Sequence, residues 1–319
     1  MNEQIKEEIY KCSKCGLCKS VCPIYLATKN EMYLPRGRFI ILNSLFNKKP
    51  SNEFTKNLDI CLHCNLCKDF CPSNINSAEI FKDLKKESKT LYIKLFFIFN
   101  FSRLLNLKKK YKPKKFENRE KVLYFEGCYN KYIDSSDRNA SIKLIEDLGY
   151  EVEKVVSNCC GYPYKTNNDE KNYKKNADKI ISNCNLNTKY IVCSCDSCYE
   201  TLKKINNKEF TDKLIRLDDL LKQKNYQLQN NEEAIYFKPI TRKDECYLPT
   251  EIKQLNKKGA CSLMENFFGL KHSKLSKKIA NQQEKIQTET LVTTCNITKW
   301  GLITNLKYKV LSYSEYIKK

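Results

Sequence analysis

The chain has 319 residues, 41% of them hydrophobic, and 58 Lys or Arg against 37 Asp or Glu give it a formal charge of +21. That balance excludes a disordered chain, and 8 Gly with 8 Pro exclude collagen-like and low-complexity classes. At about 150 residues per domain, the length allows roughly two cores.

The start, MNEQIKEEIY, is charged and lacks the apolar core of a secretory signal, so the expectation is a cytoplasmic protein. Structural disulfides are rare in that compartment, which turns 18 cysteines toward metal or redox chemistry. The basic charge has three readings: a biased composition, an anionic membrane surface, or an acidic partner. No motif of interleaved aromatic and basic residues points to nucleic acid, and none is expected as a partner.

In chain order, the first eight cysteines form two copies of C-x2-C-x2-C-x3-C-P: Cys12, Cys15, Cys18 and Cys22 with Pro23, then Cys61, Cys64, Cys67 and Cys71 with Pro72. Three thiolates at this spacing wrap a loop around one 4Fe-4S cluster, while the fourth leaves on the following helix toward the other cluster. Cys12, Cys15, Cys18 and Cys71 are therefore expected to hold one cluster, and Cys61, Cys64, Cys67 and Cys22 the other. Zinc sites pair CxxC units across a longer spacer and do not call for the Pro. His63 lies inside the second copy as a loop residue able to tune a sulfur by hydrogen bonding. Between the copies, LPRGRFIILNSLF predicts a helix, with Arg36 and Arg38 placed for ion pairs or docking.

Residues 91–116, LYIKLFFIFNFSRLLNLKKKYKPKKF, are apolar and aromatic and then strongly basic. Only eight uncharged residues run between Lys94 and Arg103, short of the roughly 20 that span a bilayer. Two readings fit: a linker helix packed on its own domain, or an interfacial helix holding the protein peripherally on the inner face of the membrane.

Beyond this joint, strand-like runs alternate with helix-like ones. KVLYFEGC (121–128), YEVEKVVSNCCG (150–161) and TKYIVCSCDSC (188–198) predict strands, and stretches near 134–148 and 169–183 predict helices. This order predicts a parallel sheet with Cys128, Cys159, Cys160, Cys195 and Cys198 at its carboxyl edge, where open α/β sheets bind ligands. Adjacent cysteines diverge, so Cys159 and Cys160 suit different irons of one cluster, with Gly161 letting the backbone pass close by. Sliding the chain over itself by 100 residues aligns TKYIVCSCDSC with TETLVTTCNIT (288–298), so that Cys295 matches Cys195 and Thr298 matches Cys198. EAIYFKPI (233–240) puts Ile240 where Cys128 stands, and GACS (259–262) keeps only Cys261 of the doublet. The second repeat keeps the fold signal and loses most ligands, so its expected role is structural. Cys193 is read as a core thiol, and Cys184 and Cys246 receive no role.

These motifs resemble the iron-sulfur proteins that join a two-cluster ferredoxin domain to cysteine-rich CCG repeats. The group includes the glycolate oxidase iron-sulfur subunit, relatives in lactate utilisation and anaerobic glycerol-3-phosphate dehydrogenase, and the catalytic subunit of heterodisulfide reductase. CSKCGLCKSVCPIY followed by LPRGRF, and LDICLHCNLCKDFCPS, look most like the glycolate oxidase subunit. The resemblance implies an α+β protein: residues 1–90 a helical two-cluster ferredoxin-type domain, 91–120 a linker, 121–225 a first α/β CCG repeat, and 226–319 a second, degenerate one. It also implies a third, noncubane 4Fe-4S cluster on Cys128, Cys159, Cys160, Cys195 and Cys198, the candidate redox site. The missing ligands of the second repeat argue against a two-cluster heterodisulfide mechanism. The function implied is electron transfer for a flavin-linked dehydrogenase of a 2-hydroxy acid or similar metabolite. Because the chain lacks a G-x-G-x-x-G fingerprint, the flavoprotein is a separate partner, and a quinone or membrane component is the expected acceptor. The alternative is a disulfide or thiol reductase in which the CCG cluster is catalytic.

Overall fold

The computed structural model describes residues 3–46, 54, 57–84, 114–227, 233–239, 241–242, 244–248, 252–254, 272–282 and 290–318. Residues 91–113 of the joint, Ile240 and Cys261 lie outside them.

Short helices make up the N-terminal part: Glu3–Tyr10, Pro23–Thr28, Pro35–Ser44 and Ser77–Leu84. Two of them begin with a proline, whose fixed φ and missing N–H suit the first helical turn. The run predicted from LPRGRFIILNSLF is the helix Pro35–Ser44, and its Phe39 and Leu42 pack with Ile9, Leu58 and Phe81. Gly37 on this helix is obligatory: a Cβ there would lie 2.0 Å from the Glu31 carbonyl oxygen.

The rest is built on two all-parallel sheets. The first comprises β1 (Glu120–Phe125), β2 (Tyr150–Val156), β3 (Tyr190–Cys193) and β4 (Leu214–Arg216), in the order β2-β1-β3-β4. The second comprises β5 (Ile235–Tyr236), β6 (Lys253–Gln254), β7 (Thr290–Thr293) and β8 (Lys309–Ser312), in the order β6-β5-β7-β8. The same strand order twice is the structural counterpart of the internal repeat. Helices Ser136–Asp147 and Glu170–Ser182 cross between strands of the first sheet where helix-like stretches were expected.

The central strands are apolar on both faces, as parallel strands under helices must be. Val122 and Tyr124 of β1 point into one core while Leu123 and Phe125 point into another. The first of these cores is shared: Tyr124 and Val192 of the first sheet pack in one cluster with Tyr236 and Val292 of the second and with Tyr313 directly after β8. The second core lies beneath the helix Glu170–Ser182 and contains Cys160, Cys195 and Cys198. A helical N-terminal part joined to parallel α/β repeats makes the fold α+β, as the sequence predicts.

The second repeat also touches the N-terminal part. Its helix Ser273–Gln282 lays Ile279 and Ala280 against Ile24, Ala27 and Leu62, beside Cys22 and Cys64. Asn168 Nδ2 donates to the Lys82 carbonyl at 2.7 Å, which ties the first repeat to the same part.

Candidate iron-sulfur centres

The two C-x2-C-x2-C loops adopt one conformation. In the first, Lys14 and Gly16 flank Cys15 at φ 60° and 83°; in the second, His63 and Asn65 flank Cys64 at φ 53° and 60°. Left-handed residues on either side of the middle cysteine curl the backbone so that its N–H groups face inward, a concavity suited to an anionic cluster. The backbone N–H of Leu17 is directed at Cys15 and that of Leu66 at Cys64, the same position in each loop. The His63 N–H reaches Cys61 Sγ at 3.4 Å.

Each loop opens on its own cavity. One is lined by Cys12, Cys15, Cys18 and Cys71, and the other by Cys22, Cys61 and Cys64; Cys67 borders both. The structure thus brings Cys71 to the first loop and Cys22 to the second, the exchange that the spacing predicts. Burial pushes the Cys22 thiol up to about 11 and Cys67 up to about 12. Such sulfurs ionise only beside a cation, which an iron ion supplies. The donor set therefore fits two iron-sulfur clusters.

Arg36 pairs with Glu31 at 2.8 Å on the surface. Arg38 does not reach solvent: it is 1% exposed and donates to the carbonyls of Asn57 at 2.9 Å and Ile60 at 2.5 Å. Its guanidinium packs 4.7 Å from the Phe81 ring centroid and faces the sulfurs of Cys61 and Cys22.

In the first repeat, all five predicted cysteines meet at the carboxyl edge of the sheet. Cys128 follows β1, the doublet follows β2, and Cys195 caps the helix Asp196–Leu202 that carries Cys198 after β3. Cys128, Cys160, Cys195 and Cys198 line one cavity with Tyr129 and Asn296. Cys159, beside Cys160 but less buried, is held by Asn176 Nδ2 donating to its carbonyl at 2.8 Å. Gly127 and Gly161 make the approach possible, at φ 70° and 92°, and a Cβ on Gly127 would lie 3.1 Å from Cys198 Sγ. The thiols of Cys128 and Cys160 hydrogen-bond to Cys159 and hold it well below the ordinary thiol range. Cys195 is lowered in the same way by Cys198 and then Cys295. A buried site holding two such sulfurs has the chemistry of a soft-metal site.

Polar side chains lock the two repeats together behind this site. Within each repeat the same pair recurs, Tyr124 Oη with Ser194 Oγ at 2.8 Å and Tyr236 Oη with Thr294 Oγ1 at 2.9 Å, and the Thr294 hydroxyl also donates across to Asp196. Asp137 of the first repeat accepts from Asn296 Nδ2 at 3.0 Å and from the Ser314 hydroxyl at 2.5 Å. From the other side, Arg242 of the second repeat pairs with Asp196 at 3.2 Å and Asp218 at 2.7 Å. Sequence reasoning missed Asp137, Asp196, Arg242, Asn296 and the position of Cys295. Only the alignment of Cys295 with Cys195 pointed toward them.

Comparison with known families agrees with this geometry. The 4Fe-4S dicluster domain matches residues 8–75, and the cysteine-rich CCG domain matches residues 122–203. The chain is a CCG-domain iron-sulfur protein. Among curated relatives, the probable glycolate oxidase iron-sulfur subunit of Bacillus subtilis is 27% identical over 24% of this chain and 18% of its own length. The Escherichia coli glycolate oxidase iron-sulfur subunit is 32% identical over 24% of this chain and 20% of its own. One polypeptide of the dihydromethanophenazine:CoB–CoM heterodisulfide reductase of Methanosarcina acetivorans is 24% identical over 48% of this chain and 46% of its own. The CCG-domain chain thus aligns with less than half the length of each of these relatives. Among its described residues, no helix is long and apolar enough to cross a membrane.

Proposed function

We propose that the chain is the iron-sulfur electron-transfer subunit of a flavin-linked dehydrogenase acting on a 2-hydroxy acid of the glycolate or lactate type, or a similar metabolite. A separate flavoprotein oxidises the substrate, and a quinone or other acceptor receives the electrons. The observation that carries the reading is the pair of exchanged cysteine sets, which place two cavities side by side with Cys67 on the border of both. When bound, the clusters supply one-electron redox chemistry over a wide range of potentials.

In this proposal Cys12, Cys15, Cys18 and Cys71 hold the first 4Fe-4S cluster, and Cys61, Cys64, Cys67 and Cys22 the second. Cys128, Cys159, Cys160, Cys195 and Cys198 hold a third, of noncubane type, in the first CCG repeat. The division of the chain at residues 1–90, 91–120, 121–225 and 226–319 belongs to the same reading. The inward N–H groups of the two loops offset the negative charge of the thiolates, and Arg38 sets a fixed cation beside the second site.

Protein purified without oxygen should carry about 12 irons, three clusters of four, and should bring down a flavoprotein from its source extract. About 8 irons would remove the third cluster, and capture of no flavoprotein would remove the dehydrogenase.

The run of thiols in the first repeat, together with the likeness to the heterodisulfide reductase polypeptide, supports a second reading as a disulfide or thiol reductase. Turnover of a disulfide by the isolated chain would favour it over the first.

A further inference from the structure

The second repeat lines the first repeat's site with Asn296 and Ile297, and the residue directly before them is a thiol, Cys295. Cys295 caps the helix Asn296–Leu306 as Cys195 caps Asp196–Leu202, both in extended backbone, and the two caps face each other across the repeats. Their Sγ atoms are 3.9 Å apart. Ser197 Oγ lies 3.0 Å from Cys295 Sγ, the Asp196 N–H donates to the Thr294 carbonyl at 3.0 Å, and the Asn296 N–H is directed at Cys195. Six sulfurs consequently form one unbroken run: Cys128, Cys159, Cys160, Cys198, Cys195 and Cys295.

Cys246, which among the described residues meets no other sulfur in this way, packs beside Tyr236 and Tyr313 and donates from Sγ to the Tyr247 carbonyl at 3.6 Å. Cys295 instead faces the Cys195 thiol at 3.9 Å and the Ser197 hydroxyl at 3.0 Å, at the start of an eleven-residue helix. The aligned partner of Cys198 is Thr298, so sulfur has been kept at the position that meets Cys195 and not at its neighbour.

We propose that Cys295 is an iron ligand of the first repeat's cluster, which is therefore held by sulfur from both repeats. The inference rests on the reading that this repeat carries a cluster. It gives the degenerate repeat a specific part in the site: it supplies one sulfur and, through Asn296, one N–H.

The test compares full-length wild type with Cys295→Ser, Cys295→Ala and, as control, Cys246→Ala, all purified without oxygen. Iron and acid-labile sulfide are measured with the electron paramagnetic resonance and Mössbauer spectra. Cys295→Ala should fall from about 12 irons to about 8, while the signals of the two ferredoxin-type clusters stay at full intensity. Cys295→Ser should change the spectrum of the third cluster, and Cys246→Ala should match wild type. Intact ferredoxin-type signals show that the variants have folded. Variants that keep about 12 irons and the wild-type spectrum overturn the role of Cys295 alone. A wild type with about 8 irons overturns the third cluster and this assignment with it.

Discussion

Arg242 of the second repeat donates from Nη1 to Asp196 Oδ1 at 3.2 Å, placing a cation against the carboxylate that directly follows Cys195. Neither group meets solvent, with side-chain exposures of 0% and 2%. Asp196 opens the helix bearing Cys198, so this pair fixes how one wall of the thiol site is oriented. On the other side of the interface Asp137 receives Asn296, the residue following Cys295. The repeats thus hold each other's cysteine-capped helix at its first residue, by an ion pair in one lock and by an amide-to-carboxylate hydrogen bond in the other.

Removing the cation leaves Asp218 and part of Asp196 buried without a counter-charge. Breaking a buried pair from one side typically costs about 3–5 kcal/mol. Arg242→Ala is therefore expected to lose about that much apparent stability in urea unfolding without oxygen. Arg216, which also reaches Asp196 at 3.2 Å, keeps the loss from being larger. Iron at the first repeat's site should fall with it, and unchanged stability would show that the lock contributes nothing.

Gly161→Ala tests the approach of the doublet to the site. The residue sits at φ +92°, and a Cβ would meet Tyr173 Cδ2 at 2.9 Å and Asn176 Nδ2 at 3.2 Å. The left-handed conformation alone costs an L-residue about 1–2 kcal/mol. Relief of the clash moves Asn176, which holds the Cys159 carbonyl. The expected outcome is a lower melting temperature together with loss of iron from the CCG site and retention of the ferredoxin-type signals.

Much of this arrangement is legible in the sequence because local spacing dictates it. Cys22 and Cys71 reach the cavity of the opposite loop because each follows its own loop by four residues and precedes a proline. Likewise β1, β2 and β3 follow from apolar runs that end at Gly127, the doublet and Cys195. What escaped is what depends on distant pairing. β4 and β8 are short, and no pattern marks them. Arg242 is one cation among many in a lysine-rich chain until the fold buries it. Cys295 reads as a leftover thiol because nothing along the chain says that the repeats face each other at their matching caps.

Arg38 offers an electrostatic test in the N-terminal part. A buried cation facing Cys61 and Cys22 stabilises the more negative, reduced state of a cluster held there. Arg38→Gln is expected to shift the midpoint potential of one ferredoxin-type cluster to more negative values by tens of millivolts, measured by redox titration. The other cluster should move less. Equal shifts of both, or none, would mean that solvent and backbone dipoles set the potential.

Lys299 of the second repeat reaches Asp134 of the first at 3.0 Å and Glu315 at 2.6 Å. Burial works against the charge on Asp134, yet the Ser136 hydroxyl and N–H and the Lys299 ammonium pull its carboxyl down to about 2, from 3.8. A carboxylate lowered in the folded state adds stability that is complete above its unfolded value and is lost as pH falls through its folded one. The window is therefore 3.8 down to about 2, below the neutral range. Asp134→Asn should cost about 1–2 kcal/mol, with partial exposure holding it below the full linkage value. The difference from wild type should be the same at about pH 8 and about pH 6, because neither form of Asp134 titrates there. Unfolding curves at the two values check this, and a cost that shrinks on going from the first to the second would assign the stabilisation to another group.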